Sequence, residues 1–149
     1  MLESLIGRIH DQIPLTRAME FSFSSYKPGE LCLRAPLEGH VNDKGTFFAG
    51  SQAALFTLAG WALTTLEAES RFGPSDVVAV ENELKYTAPL TGDMVITVTA
   101  ELASLKQFAG SIERRGKAPL AVSAQGTSER GDLVSSWKGL YLARLIRKE

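Results

Sequence analysis

The sequence predicts an α+β protein in which a curved antiparallel sheet wraps one long central helix. Two observations lead to this fold class. First, a polar loop at residues 42–52 runs into an almost wholly apolar stretch at residues 53–63, and a helix that is apolar on every side has to be buried. Second, apolar and polar residues alternate along most of the remaining chain, which is typical of half-buried strands. A sheet curved around the helix buries it economically.

The N-terminal part of the chain is predicted to form a short helix followed by a strand hairpin. Apolar residues from Leu2 to Ile13 fall at helical spacing, and Pro14 ends that pattern. Residues 19–24 alternate as a strand, residues 27–30 contain a Pro-Gly turn, and residues 31–37 form the partner strand. The hairpin therefore precedes the polar loop and the buried helix.

The C-terminal half is predicted to contain four or five strands and no further helix. A Gly-Pro break at residues 72–75 ends the central helix. Some later segments, such as residues 77–80 and 140–142, are apolar on both faces, so we expect a partner subunit to cover part of the sheet in at least a dimer. The predicted strands are residues 77–88, 94–102, 108–115, 120–127 and 133–145.

Length, charge and cysteine content narrow the class of protein. A chain of 149 residues fits one domain, which we assign to residues 1–149. The net charge of -1 gives no reason to expect a nucleic-acid partner, and the apolar run at residues 53–66 is too short to span a membrane. Cys32 is the only cysteine and no signal peptide is evident, which points to the cytoplasm. With His10 and His40 as the only histidines, we expect surface imidazoles and no metal site.

The loop before the central helix reads Asn-x-x-Gly-Thr-x-x-Ala-Gly-Ser from Asn42 to Ser51, and this motif resembles that of hotdog-fold acyl-thioester enzymes. The resemblance covers residues 15–145. It is strongest to the branch found as the C-terminal half of a bacterial acetyltransferase-like fusion, labelled a putative thioesterase, with relatives described as malonyl-acyl-carrier-protein decarboxylases. It implies the hotdog fold, dimers that could pair into tetramers, and a site between two subunits. It also implies substrates carried on the phosphopantetheine of CoA or acyl carrier protein (ACP), with no other cofactor.

The resemblance assigns roles to the residues of this motif. Asn42 occupies the position of a polar residue that contacts the reacting group, and Ala49 and Gly50 occupy that of a Gly-Gly pair whose N–H groups bind the thioester carbonyl. Thr46 and Ser51 belong to the same substrate-binding loop. A helix N-terminus favours this role because its first N–H groups are unpaired and carry the positive end of the helix dipole.

Thr57 occupies the position at which many hotdog thioesterases carry an Asp or Glu. Hydrolysis needs a base or nucleophile, whereas loss of CO₂ from a malonyl thioester needs only an oriented carboxylate and donors to the enolate oxygen. An acid would repel the malonyl carboxylate by about 4 kcal/mol at 4 Å and a dielectric near 20. Neutral amides at Asn42, Gln52 and Asn82, beside Thr57, therefore favour loss of CO₂ over hydrolysis. Taken with this, the resemblance implies decarboxylation of malonyl-ACP to acetyl-ACP, which would supply the initiation of fatty acid synthesis.

Two other functions remain open at this point. A thioesterase could use Asp43, the one acid in the loop, as its base, or a water held by Asn42 and Thr57. A non-catalytic hotdog module could simply bind acyl thioesters.

Each candidate also has a structural alternative. Asn42 could form a turn with Gly45, and Gln52 or Ser51 could cap the helix. Asn82, on a face with Val78, Val80, Leu84 and Tyr86, could be a buried amide bonded to the backbone. Trp61 is assigned to packing.

A basic turn is predicted at Arg114, Arg115 and Lys117. It could be a solvated hairpin end, or it could contact CoA phosphates or the acidic surface of ACP.

Overall fold

The computed structural model describes residues 1–146, so residues 147–149 of the predicted domain lie outside the described residues. The helices are α1 (Leu2–Gln12), α2 (Thr16–Met19), α3 (Ala49–Phe72) and α4 (Leu102–Arg115). The strands are β1 (Ser22–Lys27), β2 (Glu30–Ala35), β3 (Ser75–Tyr86), β4 (Met94–Thr99), β5 (Lys117–Thr127) and β6 (Leu133–Leu145). Within the described part of the chain, no helix is long and apolar enough to cross a membrane.

The strands form one antiparallel sheet in the order β1-β2-β4-β5-β6-β3, and its inner face packs on α3. Along β5 and β6, buried and exposed residues alternate nearly throughout, as expected when only one face of a sheet meets a core. The predicted fold class, a long central helix wrapped by an antiparallel sheet, is therefore confirmed.

The environment of α3 changes along its length. Every residue from Ala62 to Ala68 is buried, so this segment of the helix is enclosed on all sides. In the N-terminal half, Ala53, Ala54, Thr57 and Trp61 are only partly buried. Their spacing places them in one stripe along the helix. Between its exposed first and last turns, α3 is therefore covered except along this stripe near its beginning.

The predicted strand at residues 108–115 is wrong, because these residues belong to α4. Phe108, Ala109 and Ile112 are buried at helical spacing, and Gly116 ends the helix in the left-handed conformation with φ 71°. Arg114 and Arg115 stand in the last turn, where positive charge stabilises a helix C-terminus. The basic residues predicted at a hairpin end thus lie at the junction of α4 and β5.

Smaller corrections concern the ends of other elements. Met19 ends α2 and Glu20 adopts the left-handed conformation with φ 49°, so β1 begins at Ser22 instead of residue 19. The helix α3 begins at Ala49, inside the segment predicted as loop. The strand predicted at residues 94–102 stops at Thr99 because α4 begins soon after it.

Candidate active site

The partly buried stripe of α3 is one wall of a cavity of about 420 Å³. The other walls come from the α1–α2 connection, which contributes Ile13 and Leu15, from β3, and from Tyr141 on β6. Most of the lining is apolar, and its side-chain polar groups belong to Thr16, Thr57, Trp61, Asn82 and Tyr141. None of the described residues that line the cavity is an Asp or a Glu.

The cavity brings two of the predicted catalytic residues together, Thr57 from α3 and Asn82 from β3. The Thr57 hydroxyl donates to the Ala53 carbonyl oxygen at 2.9 Å, and the Tyr141 hydroxyl donates to the Thr57 carbonyl oxygen at 2.6 Å. Burial raises the pKa of Tyr141, so its phenol stays protonated and cannot act as a base near neutral pH. The wall around Thr57 is therefore polar but uncharged.

A bulge in β3 determines where Asn82 points. The pairing of β3 with β6 shifts register between Ala79 and Glu81. After the shift Asn82 pairs with Gly139, on the buried face of β6, whereas Val78 pairs with the exposed Leu142. The prediction that Val78 and Asn82 share a face is therefore wrong. Asn82 is also exposed, so it is not the buried amide considered as its structural alternative.

The N-terminus of α3 carries no side-chain cap. Phe48 is the N-cap residue, with extended φ and ψ of -62° and 134°, and neither Ser51 nor Gln52 forms a capping hydrogen bond. The capping roles considered for these two residues are therefore wrong. Within residues 1–146, the N–H groups of Ala49, Gly50 and Ser51 make no hydrogen bond, and the first turn contains no acid. These N–H groups remain available to an oxyanion.

Gln52 is buried in the first turn of α3, with only 4% of its surface exposed. Its carbonyl oxygen Oε1 has no hydrogen-bond partner among the described residues. A buried acceptor without a partner costs about 1–3 kcal/mol. The Gln52 oxygen is therefore free to accept a hydrogen bond from a bound molecule.

Asn42 is used to shape the loop. Its Oδ1 accepts from the N–H groups of Lys44 at 2.9 Å and Thr46 at 3.0 Å, and its Nδ2 donates to the Thr46 hydroxyl at 2.9 Å. This is the turn considered as its structural alternative. Neither Asn42 nor Gln52 lines the cavity, so contact of either residue with a substrate stays a prediction.

The remaining loop residues are explained by local contacts. Asp43 is exposed and pairs with Lys44 at 3.1 Å. His40 is buried, with Nε2 2.7 Å from the Met19 carbonyl oxygen, and its ring stacks on Phe47. The prediction of a surface His40 is therefore wrong. The imidazole instead links the loop that precedes α3 to the last residue of α2.

The basic residues do not lie at the cavity. Arg114, Arg115 and Lys117 are exposed around the end of α4, and Lys117 stands opposite the exposed Arg144 on β6. The sequence did not single out Arg144, because register alone brings it beside Lys117. We call these four residues the basic cluster.

Sequence reasoning also missed Tyr141 and the walls from the α1–α2 connection. Tyr141 lies within an apolar strand pattern, and no signal in the sequence distinguishes it from a core residue. Ile13 and Leu15 flank the proline that ends α1, and both remain exposed after folding. Two exposed apolar residues beside a helix end are a weak signal for a binding wall.

Comparison with known proteins relates nearly the whole chain to thioesterase-like proteins. The family model YiiD_C, described as "Putative thioesterase (yiiD_Cterm)", matches residues 2–145. A "putative thioesterase" structure from Shewanella oneidensis is 28% identical, with 97% of each chain covered and a TM-score of 0.82. A protein of unknown function from Chlorobaculum tepidum TLS is 26% identical, with 97% of this chain and 94% of that chain covered and a TM-score of 0.87. A Pseudomonas aeruginosa protein described as a "probable thioesterase" is 25% identical, with 97% and 96% covered and a TM-score of 0.80.

Proposed function

We propose that this chain, which belongs to the YiiD_C family of putative thioesterases with the hotdog fold, decarboxylates malonyl-ACP to acetyl-ACP. Family membership supports an enzyme of acyl thioesters. One observation carries the finer proposal: the described lining of the cavity beside α3 offers hydroxyl and amide groups but no carboxylate. A site of this kind can hold a malonyl carboxylate without like-charge repulsion, and the part of it that one protomer supplies offers no carboxylate base for hydrolysis.

The carboxylates of α3 itself are used elsewhere. Glu67 is ten residues after Thr57, which corresponds to about 15 Å along a helix. It is buried and accepts hydrogen bonds from the Tyr26 hydroxyl and from the Gly29 N–H at 3.3 Å. Glu69 is held by Arg8 at 2.8 Å. Both acids therefore support the fold at the far end of the helix.

In the proposed reaction, the N–H groups of Ala49 and Gly50 bind the thioester oxygen, while Thr57 and Asn82 orient the malonyl carboxylate. Thr57 lies about 12 Å from Ala49 along its own helix. The two groups that meet one substrate therefore belong to different protomers of the dimer proposed below. The bond between the carboxyl carbon and the methylene carbon breaks, its electron pair forms an enolate on the thioester, and CO₂ leaves. The N–H groups stabilise the enolate oxygen. The methylene carbon then takes one proton from water, which gives the acetyl thioester. No free thiol forms.

Hydrolysis is the second candidate, favoured by the description of the family as thioesterases. In this protomer it would depend on Asp43, which is 81% exposed and paired with Lys44, or on a water held by Asn42 and Thr57. This carboxylate faces solvent and lies outside the cavity lining, so it has no direct access to a thioester bound beside Thr57. The cavity therefore favours decarboxylation.

One assay separates these functions. Malonyl-ACP and malonyl-CoA are incubated with the protein, and acetyl thioester, free thiol and CO₂ are followed together. Acetyl thioester and CO₂ without thiol supports the proposal. Release of free thiol supports a thioesterase, and binding without either product supports a non-catalytic module.

Gln52 gives a prediction that separates catalysis from folding. In Gln52→Leu, an apolar side chain of similar size replaces a buried group whose carbonyl has no partner, so we expect unchanged or higher thermal stability. If the amide orients the substrate, malonyl turnover falls by about a hundredfold or more. Thermal unfolding and the product assay measure the two effects. A less stable protein with normal turnover would assign Gln52 a purely structural role.

The basic cluster gives a prediction about the carrier. Replacing Arg114, Arg115 and Lys117 with alanine is expected to raise KM for malonyl-ACP about tenfold while kcat stays the same, because exposed charges mainly affect encounter with an acidic partner. Arg130→Ala, at an exposed turn between β5 and β6, is the matched control. An equal rise in KM for malonyl-CoA would instead indicate contact with CoA phosphates. An unchanged KM for both substrates would mean that the basic cluster contacts neither carrier.

We further propose that the active form is a dimer formed through β3. This strand lies at one edge of the sheet, and a long unpaired edge tends to associate. On the protomer, Val78 and Val80 are 55% and 56% exposed, and Leu142 beside Val78 is 36% exposed. A partner that covers this apolar surface would stand next to the cavity wall at Asn82.

A further inference from the structure

We infer that Trp61 sets the maximum length of the acyl chain that the cavity accepts; this inference rests on the proposed binding of acyl thioesters. A malonyl group has six non-hydrogen atoms, which need at most about 180 Å³ at the ~30 Å³ that one water occupies. The cavity of about 420 Å³ is larger. Its surplus space is apolar, which suits a saturated acyl chain.

The cavity has a direction along α3. Its small residues Ala53 and Ala54 lie toward the N-terminus of the helix, and Trp61 lies at the opposite end of the stripe. Eight residues of helix separate Ala53 from Trp61, which corresponds to about 12 Å. An acyl chain that enters the cavity at the Ala53 end would follow the stripe and meet the indole.

The indole is held from two sides. Its Nε1–H donates to the Val77 carbonyl oxygen on β3 at 3.1 Å, and the Arg8 guanidinium lies 6.0 Å from the ring centre. Arg8 is itself bound to both carboxylate oxygens of Glu69 at 2.8 and 3.1 Å. Glu69 also accepts from the Ser75 N–H at 3.0 Å. Movement of the indole would disturb contacts that join α1, α3 and β3.

The surroundings of Trp61 explain why the chain would stop there. The Arg8–Glu69 ion pair lies beside the indole, and such a polar environment does not favour a terminal methyl group. The ring thus borders both the apolar cavity and a charged cluster. A smaller residue at position 61 would lengthen the cavity by the space of the indole.

The test measures binding of S-alkyl pantetheine thioethers, which carry the arm shared by CoA and ACP and cannot be turned over. With the wild-type protein, affinity should rise by about fourfold per added methylene up to a limiting length and then stop rising. In Trp61→Ala the limiting length should increase by several carbons, and in Trp61→Leu by fewer. Arg71→Ala, exposed in the last turn of the same helix, should keep the wild-type limit.

Thermal unfolding shows which variants are folded, and Trp61→Leu keeps the test decisive if Trp61→Ala does not fold. The inference is overturned if a folded Trp61 variant has the same limiting length as the wild type. It is also overturned if the affinity of the wild type does not depend on chain length. Because the thioethers are not substrates, this result is independent of turnover. A shifted limit in a protein that neither decarboxylates nor hydrolyses would support the role of Trp61 and reject the proposed reaction.

Discussion

Replacing Thr57 with aspartate is expected to lower malonyl decarboxylation by up to about a thousandfold. Thr57 lies in the cavity wall, where Asp would place a second negative charge near the malonyl carboxylate. Repulsion of about 4 kcal/mol at 4 Å and a dielectric near 20 corresponds to that factor. The same change supplies the carboxylate that hydrolysis lacks, so we expect free thiol from acyl thioesters to increase. The measurement is kcat/KM for each product with malonyl-ACP and acetyl-ACP.

The matched control is Thr57→Asn, which has nearly the shape of aspartate without its charge. Both variants lose the hydroxyl that donates to the Ala53 carbonyl oxygen, so any effect on helix geometry is shared. We expect Thr57→Asn to keep decarboxylation within about tenfold of the wild type, since a neutral amide adds no repulsion. If Asp and Asn lower decarboxylation equally, charge at this position does not select the reaction and the proposed mechanism fails.

The sequence predicted the central architecture because its strongest patterns are local. The apolar run that follows Gln52 gave the buried helix, and alternation along β6 gave its bounds from Leu133 to Leu145. Pattern failed at α4, where a short amphipathic helix with buried Phe108 and Ile112 was read as a strand. A segment with few apolar residues can match both periods, and only tertiary packing decides between them.

The site was predictable only in part. A hydroxyl at Thr57 and an amide at Asn82 were expected at the site, and both line one cavity. The bulge in β3 that turns Asn82 toward the cavity depends on pairing with β6, and nothing in the strand's own sequence indicates it. Asn42 was ambiguous, because the same side chain can bond its own loop or a substrate. Tyr141 and Trp61 also line the cavity, and only tertiary packing places them there.

Replacing Gly60 of α3 with alanine is expected to damage both the packing of the core and the cavity wall. A Cβ at this position would lie 2.5 Å from carbon atoms of Trp137 and Tyr141 and 2.7 Å from the Tyr141 hydroxyl. Both rings are buried in the core, so neither can move aside easily. Gly60→Ala should therefore lower the free energy of unfolding by about 1–3 kcal/mol, even though alanine favours a helix by about 1 kcal/mol.

The damage should extend to the cavity through Tyr141. Its hydroxyl donates to the Thr57 carbonyl oxygen at 2.6 Å, and a displaced ring would lengthen or break that bond. Gly60→Ala should lower the melting temperature by about 2–10 °C and reduce malonyl turnover in the fraction that stays folded. Calorimetry and the product assay, both well below the melting temperature, measure these effects.

Gly7→Ala is the matched control, because Gly7 lies inside α1 and a Cβ there would meet no atom within 4 Å. Only the helix preference of alanine applies at that position, so the free energy of unfolding should rise by about 0.5–1 kcal/mol with no change in turnover. The two substitutions are chemically identical and should have opposite signs. A stability gain at Gly60 equal to that at Gly7 would mean that Trp137 and Tyr141 do not pack against α3 as described, and the cavity wall at Thr57 would lose its support.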